Sequence, residues 1–490
     1  MGIDPPVLIQ GGMGAGVSDW RLARAVSEAG HLGVVSGTGI DTILVRRLQD
    51  GDPGGHIRRA LAALPVAGVA RRIIDEYFVE GGKAPDARYR SRPMLRIDPS
   101  RKSLDLLVAA NFVEVWLAKE GHQGPVGINY LEKIQSPHLA SMYGAMLAEV
   151  DYVLMGAGIP MAVPGVLDRL SEGRDVAYRL DVKAAAAGEV FAMRFDPAAY
   201  AAGVLPHAPR PQFLAIVSSH VLATAMVRKA SGRVDGFIIE GPTAGGHNAP
   251  PRGKVRLSDR GEPIYGERDA PDLAVFREIG LPFWLAGGYG EPGQVAAARS
   301  LGAAGVQVGT AFAYCEESGF AAEVKRRVLA LSRAGEARVF TDPVASPTGF
   351  PFKVVELDDS LAEQSVYERR SRICDLGYLR TPYRRDDGTV GWRCPAEPVA
   401  DYVRKGGDEA DTTGRKCLCN ALVANIGHPQ IQRNGDVEGI LVTSGDDVGS
   451  VARFVRDGRE AYTAADVIAY LLPPPSAGHA PEPAADGPSR

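Results

Sequence analysis

The sequence predicts a TIM (β/α)8 barrel, an α/β fold, with insertions and a C-terminal appendage. Three observations point there. Short apolar runs alternate with helix-like segments through roughly the first 330 residues, the runs are apolar at nearly every position, and glycines cluster where the runs end. Alternation of strand and helix implies parallel pairing. Strands without polar positions are buried on both faces, as in a barrel wall covered by helices. Glycine at strand ends suits a backbone that must approach a ligand closely.

Taken in order, strands are expected at residues 7–10, 33–36, 126–129, 152–155, 213–217, 236–240, 283–286 and 305–308. Helices are expected at 19–29, 137–149, 220–230, 271–279 and 292–301. Eight such units fit a closed barrel better than a doubly wound sheet, the structural alternative. A ninth strand-like run, 176–182, is assigned to an excursion between the fourth and fifth barrel strands. Residues 50–103 part the second and third strands by more than one crossover helix needs, so they form an insertion. Residues 249–270 are polar and rich in Pro, Gly and Arg. They follow a barrel strand, which would set them over the mouth as a lid. The barrel thus spans 1–340. A turn-rich linker from Pro343 to Pro351 leads into a less periodic appendage, 341–470, which carries four of the five cysteines. The tail, 473–490, has the composition of a disordered end.

Composition narrows the function. At 490 residues and 45% hydrophobic the chain can bury a large core. A net charge of -4 gives no global reason to expect nucleic acid. No apolar run is long enough to span a bilayer, and the opening Met1-Gly2-Ile3-Asp4 lacks the basic and apolar regions of a signal peptide. Five cysteines in so long a chain are no disulfide scaffold, so a cytoplasmic protein is expected.

The chemistry-bearing residues sit at strand ends. Leu285-Ala-Gly-Gly-Tyr-Gly290 and Val306-Gln-Val-Gly-Thr310 would form the last two β/α loops, where barrels often bind phosphate. Gly287, Gly288 and Gly309 let backbone donors approach an anion, and Thr310 adds a hydroxyl. Gln10-Gly11-Gly12-Met13 can face a flat ligand; a flexible turn with Met13 in the core is the alternative. Asn129 ends the third strand, where its amide can meet a heterocycle edge or close its own loop. In Glu240-Gly-Pro-Thr-Ala-Gly-Gly-His247 the histidine follows paired glycines on a loop, a setting for general acid–base work or for binding substrate. Hydrolase, metalloprotease and P-loop motifs are absent, and the glycine spacing at 11–16 does not match a Rossmann site. Cys374, Cys394, Cys417 and Cys419 admit zinc or an iron–sulfur cluster. Their spacing lacks paired C-x2-C knuckles, which favours buried free thiols and no metal.

In their order along residues 5–320, the motifs Gln10-Gly-Gly-Met13, Gly127-Ile-Asn129, Gly156-Ala-Gly158, Glu240 to His247, Ala286-Gly-Gly288 and Gln307-Val-Gly-Thr310 resemble those of the nitronate monooxygenases, or 2-nitropropane dioxygenases. They are equally similar to the related FMN-dependent enoyl-ACP reductases. The resemblance implies a barrel that holds FMN without a covalent link. Gly287, Gly288, Gly309 and Thr310 would take its phosphate. Gln10, Gly11, Gly12, Met13, Asn129, Ser218 and Gly246 would lie about the rest of the cofactor. His247 matches a histidine near flavin N5, tied to substrate deprotonation or binding in the monooxygenases and to orienting the thioester carbonyl in the reductases.

The implied activity is FMN-dependent oxidation of a nitronate, or a similar carbanionic substrate, by dioxygen. The alternative is NAD(P)H-dependent reduction of an enoyl thioester in lipid or polyketide metabolism, and a flavin-free scaffold is a third reading. The expected partner is a small-molecule substrate, with NAD(P)H for the reductase, and neither nucleic acid nor membrane. The appendage leaves open a homodimer contact, a metal module or a lid. Asn248-Ala-Pro-Pro-Arg252 departs from the usual continuation after the histidine. Arg252, Lys254, Arg256 and Arg260 could receive phosphates of a carrier arm or form a solvated surface.

Overall fold

A computed structural model describes residues 5–203 and 205–473. The first four barrel strands are β1 (Leu8–Gln10), β2 (Leu32–Ser36), β3 (Val126–Leu131) and β4 (Tyr152–Gly156). Outside the barrel, β5 (Val176–Arg179) and β6 (Ala192–Phe195) pair as an antiparallel hairpin, so the ninth strand-like run is indeed an excursion. The wall resumes with β7 (Gln212–Val217), β8 (Gly236–Glu240), β9 (Phe283–Ala286) and β10 (Gly305–Val308). These eight strands close in the order β1-β10-β9-β8-β7-β4-β3-β2, every pair parallel. The protein is therefore an α/β barrel of the TIM type.

Strand parity decides what lies inside. Ile9, Leu32, Val34, Tyr152, Leu154, Leu214, Ile238, Trp284 and Ala286 form a separate buried cluster in the barrel's interior. Their outward neighbours, such as Leu8, Val35, Val153, Phe237 and Leu285, join the larger core beneath the helices. Side chains alternate across a strand, so the next inward position at each C-terminal end faces the mouth. Trp284 Nε1 donates to the Pro6 carbonyl at 2.6 Å, tying the inner cluster to the start of the chain.

The insertion folds as helices His56–Ala63 and Val69–Tyr77, and a third, longer helix, Arg101–Lys119, leads from it toward β3. The first two are amphipathic, burying Ile57, Ala60 and Leu61, and Val69, Ile73 and Tyr77. The third is buried along most of its length, and its Glu114 accepts from Arg47 at 2.7 Å. Arg47 also meets Asp19 at 2.9 Å, and Asp19 caps the helix Trp20–Glu28. Removing one member of such a buried charge cluster costs about 3–5 kcal/mol, so it fixes the helix Arg101–Lys119 to the helices after the first two strands.

Beyond the barrel, β11 (Val339–Asp342) and β12 (Phe352–Val355) pair antiparallel, as do β13 (Thr381–Arg384) and β14 (Val390–Arg393). Residues 343–351, expected as a linker, are instead the loop of the β11–β12 hairpin. Leu418, Leu441, Val442, Phe454, Tyr462 and Val467 share one hydrophobic core with the barrel's helices. A buried ion pair, Arg92 to Asp41 at 2.8 Å, meets Tyr378 from the far end of the chain through Arg92 Nε at 2.9 Å. The tail expected to be disordered lies, beyond Pro473, outside the described residues. Among the described residues no helix is long and apolar enough to cross a membrane.

Candidate active site

A cavity of about 200 Å³ opens at the C-terminal mouth of the barrel. Its floor is the ring of inward positions that strand parity selects: Ser36, Asn129, Gly156, Ile216, Glu240 and Gln307. Gly11, Gly12 and Met13 enter from the loop after β1. Here glycine is required. A Cβ on Gly12 would stand 2.5 Å from that of Asn129, so only a bare backbone fits beside the amide. Two buried polar atoms facing this space lack a protein partner: Gln307 Oε1 and Ser444 Oγ. Such atoms are costly unless something in the cavity satisfies them.

His247 lies on the loop after β8 and is pinned by the C-terminal hairpin. Its backbone bridges to Phe352, the Lys353 amide donates to the Gly246 carbonyl at 2.9 Å, and its ring meets Phe352 edge-on at 4.8 Å. Nε2 lies 2.6 Å from Ser346 Oγ, which in turn bonds Thr348 Oγ1 at 2.8 Å. Ser346 is fully buried and sits in the β11–β12 loop. Burial, with a smaller push from Lys133, holds the imidazole's pKa well below its ordinary value. The ring is neutral at pH 7. With Nε2 engaged by Ser346, Nδ1 has no hydrogen-bond partner among the described residues and remains for a ligand.

Beside it lie two titratable groups with opposed shifts. Burial lifts Glu240 to about 7, partly offset by Lys133. Burial lowers Lys133 to about 7, against the attraction of Glu132 and Glu240. Lys133 Nζ rests over the Phe350 ring, 3.2 Å from its centroid, and reaches toward Thr348 Oγ1 at 3.4 Å. A pair poised near neutrality beside a neutral histidine can accept or release a proton at working pH.

The glycine cradle closes the other side. Gly287 and Gly288 follow β9 and Gly309 follows β10, and all three line the cavity. Gly287 has φ +90°, and a Cβ there would meet Thr243 Oγ1 at 3.0 Å. Thr310 also lines the cavity, but its Oγ1 already accepts from the Gly445 amide at 2.9 Å and faces the Asp447 carboxyl. Burial raises the Asp447 pKa, against the Thr310 hydrogen bond and the charge of Arg453.

Residues 169–346 match the family model described as nitronate monooxygenase, a stretch that holds His247, both glycine turns and Ser346. Over that stretch, well under half of its length, the chain is similar to the nitronate monooxygenase family. No curated protein matches the chain. Among solved structures it is similar to FabK from Thermotoga maritima, at 17% identity and TM-score 0.46, covering 95% of this chain and 91% of that one. It is also similar to the nitroalkane oxidase from Streptomyces ansochromogenes, at 18% identity and TM-score 0.46, covering 95% and 94%. A third is the enoyl reductase domain of MlnA from the macrolactin biosynthesis cluster of Bacillus amyloliquefaciens, at 12% identity and TM-score 0.44, covering 94% and 91%.

In the structure Gly11, Gly12, Met13, Asn129, Gly246, His247, Gly287, Gly288, Gly309 and Thr310 all line the one cavity. Gln10 and Ser218 do not. Parity turns Gln10 outward, where Nε2 donates to Ser18 Oγ at 2.9 Å and Oε1 accepts from the Val34 amide at 3.1 Å. It buttresses the loop after β1 rather than facing a ligand. Ser218 offers its carbonyl to Arg252 at 3.4 Å from outside the cavity. Sequence reasoning missed Glu240 and Gln307 as lining residues, although their inward parity was available. It also missed Phe352, Leu422, Thr443, Ser444, Gly445 and Asp447. These come from the appendage, and nothing local in sequence marks them.

Proposed function

We propose that the protein uses FMN to oxidise a nitronate, or a similar carbanionic substrate, with dioxygen. The observation that carries this reading is the family match across His247 and both glycine turns, which one cavity brings together. The cavity suits a flavin on its own features. Gln307 Oε1 and Ser444 Oγ are buried without partners, and Asn129 ends on the same floor. Gly287, Gly288 and Gly309 would hold the phosphate through backbone amides, while Gly11, Gly12, Met13 and Asn129 would flank the ring system. Bound FMN supplies the electron acceptor for the substrate carbon and the route of those electrons to dioxygen.

The chain's own residues do the rest. Neutral His247, held by Ser346, presents Nδ1 to the substrate without a competing charge. Glu240, ionised above about pH 7, can take a proton from a carbon acid, and Lys133 can carry it away. Phe352 and Leu422 add apolar lining to the cavity, which would disfavour water beside the reacting atoms. Oxygen uptake with alkyl nitronates tests the proposal; consumption no faster than with free flavin would sink it.

One observation favours the alternative, NAD(P)H-dependent reduction of an enoyl thioester. The cavity lining holds two carboxyl groups, Glu240 and Asp447, and no Lys or Arg, which suits a neutral carbonyl better than an anion. Turnover of a crotonyl-type thioester with NADH or NADPH separates the two readings.

A further inference from the structure

An unbroken line of polar contacts runs from the imidazole of His247 to a lysine on the loop after β3. His247 Nε2 lies 2.6 Å from Ser346 Oγ, Ser346 Oγ lies 2.8 Å from Thr348 Oγ1, and Thr348 Oγ1 lies 3.4 Å from Lys133 Nζ. At one end His247 lines the cavity, and at the other Lys133 is partly exposed. We propose that Lys133 is a positioning residue that sets the tautomer of His247 along this line. It thereby decides whether Nδ1 meets the substrate as a hydrogen-bond donor or as an acceptor.

Counting protons gives the line two directions. Each hydroxyl has one proton to donate, and an ammonium has no lone pair to accept one. With Lys133 charged, Thr348 Oγ1 accepts from Nζ and donates to Ser346 Oγ, and Ser346 donates to His247 Nε2. The imidazole proton must then sit on Nδ1. With Lys133 neutral, Nζ offers a lone pair and the line can reverse. Thr348 donates to Nζ, Ser346 donates to Thr348, and Nε2–H donates to Ser346, which leaves Nδ1 bare. A neutral imidazole intrinsically favours a proton on Nε2, so release of the constraint is enough to drive the change. In both directions the Thr348 amide donates to Ser346 Oγ at 3.2 Å, so every hydrogen-bonding site of this buried hydroxyl is used. A line of mixed direction would set two protons or two lone pairs against each other there, which burial makes costly.

The lysine changes charge in the working range. Burial lowers Lys133 to about 7, against the attraction of Glu132 on its own loop and of Glu240 on β8. From the β11–β12 loop Thr348 and the Phe350 ring meet it, and His247 feels its charge. Glu132 is in turn bonded by Gln135 at 3.0 Å and Tyr178 at 3.1 Å, with Asp181 nearby. Burial holds His247 well below its ordinary pKa, so the ring answers Lys133 by moving its proton rather than by gaining one.

The consequence for the substrate rests on the proposed function. Nδ1–H can hold the oxygen of a nitronate, and a bare Nδ1 can accept the proton of a neutral carbon acid. In the second case the proton on Nε2 moves to Ser346, that of Ser346 to Thr348, and that of Thr348 to the Lys133 amine. The carbon loses one proton, Lys133 gains one, and His247 ends neutral in its other tautomer.

The experiment is nitrogen NMR of the full chain, labelled with 15N in its histidines, with FMN added and no substrate. Protonated and bare ring nitrogens resonate far apart, and His247→Asn identifies the signals. The expected result is a proton on Nδ1 below about pH 7 and on Nε2 above it, the two signals exchanging places as Lys133 titrates. Thr348→Val and Lys133→Met should lose the exchange, and Thr348→Ser should keep it. Lys133→Arg, which can only donate, should hold the proton on Nδ1 throughout. Either of the Lys133 variants decides if Thr348→Val fails to fold. One tautomer on both sides of pH 7 in the wild type, or an exchange that survives in Thr348→Val, would overturn the proposal. Survival in Lys133→Met would also overturn it and trace the exchange to Glu240. A chain that takes up no FMN would sink the proposed function alone, because the tautomer is read without turnover.

Discussion

Ser346→Ala is the most informative single change near His247, because the hydroxyl belongs to the C-terminal hairpin and touches the site through one atom. Its Oγ lies 2.6 Å from His247 Nε2, and the residue is fully buried. Removing it leaves a buried imidazole nitrogen without a protein partner, a loss of about 1–3 kcal/mol. If that energy is spent in orienting the ring, kcat/KM falls by about 5- to 150-fold, since each 1.4 kcal/mol is a factor of ten. The assay is a double-mutant cycle with His247→Ala, read as kcat/KM at equal flavin content and checked by thermal melts. Acting through His247, Ser346→Ala should add almost nothing in the His247→Ala background. An equal loss in both backgrounds, or none in the wild type, would refute the coupling.

Three further outcomes follow from the same geometry. Gly287→Ala places a Cβ at φ +90° and 3.0 Å from Thr243 Oγ1, costing about 1–3 kcal/mol; equilibrium dialysis should show weaker FMN binding, and unchanged affinity would remove Gly287 from the cradle. Asp447→Asn removes a carboxyl beside Thr310, so FMN should bind about fivefold tighter or more while riboflavin is unaffected; equal effects on both would place Asp447 away from the phosphate. The third concerns pH. With Glu240 raised from 4.5 to about 7, the folded chain holds more protons than the unfolded one in that window, and stability falls as pH rises through it. With Lys133 lowered from 10.5 to about 7, the unfolded chain holds more protons between those values, and stability rises with pH. The melting-temperature gain of Glu240→Gln/Lys133→Met over wild type should peak near pH 7, and a gain constant from pH 5 to 10 would contradict both shifts.

The barrel was legible because its signal is local. Each wall strand announces itself as a short apolar run, and strand–helix alternation leaves few topologies. The antiparallel β5–β6 hairpin could be set aside because a ninth strand does not fit an eight-stranded wall. Glycine turns after β9 and β10 marked the cradle for the same reason: positive φ at Gly287 leaves a trace in the sequence. Parity, applied one residue further, would also have selected Glu240 and Gln307 and turned Gln10 away.

What stayed hidden is non-local. Ser346 reaches His247 across 99 positions, and Thr310 meets the Gly445 amide across 135. Pairings this distant leave no periodicity, and the turn-rich composition of 343–351 reads as a linker when it is the loop that holds the histidine. The same holds for Cys374, Cys394, Cys417 and Cys419, which three separate segments bring to one small cavity.

The most direct measurement is anaerobic stopped-flow reduction of the FMN-loaded protein, comparing an alkyl nitronate with NADH and NADPH. The proposed function predicts fast bleaching of the flavin by the nitronate, slow or no bleaching by either nicotinamide, and return of colour on admitting oxygen. Fast bleaching by a nicotinamide alone, with reoxidation by an enoyl thioester, would contradict it and assign the cavity to the reductase reaction.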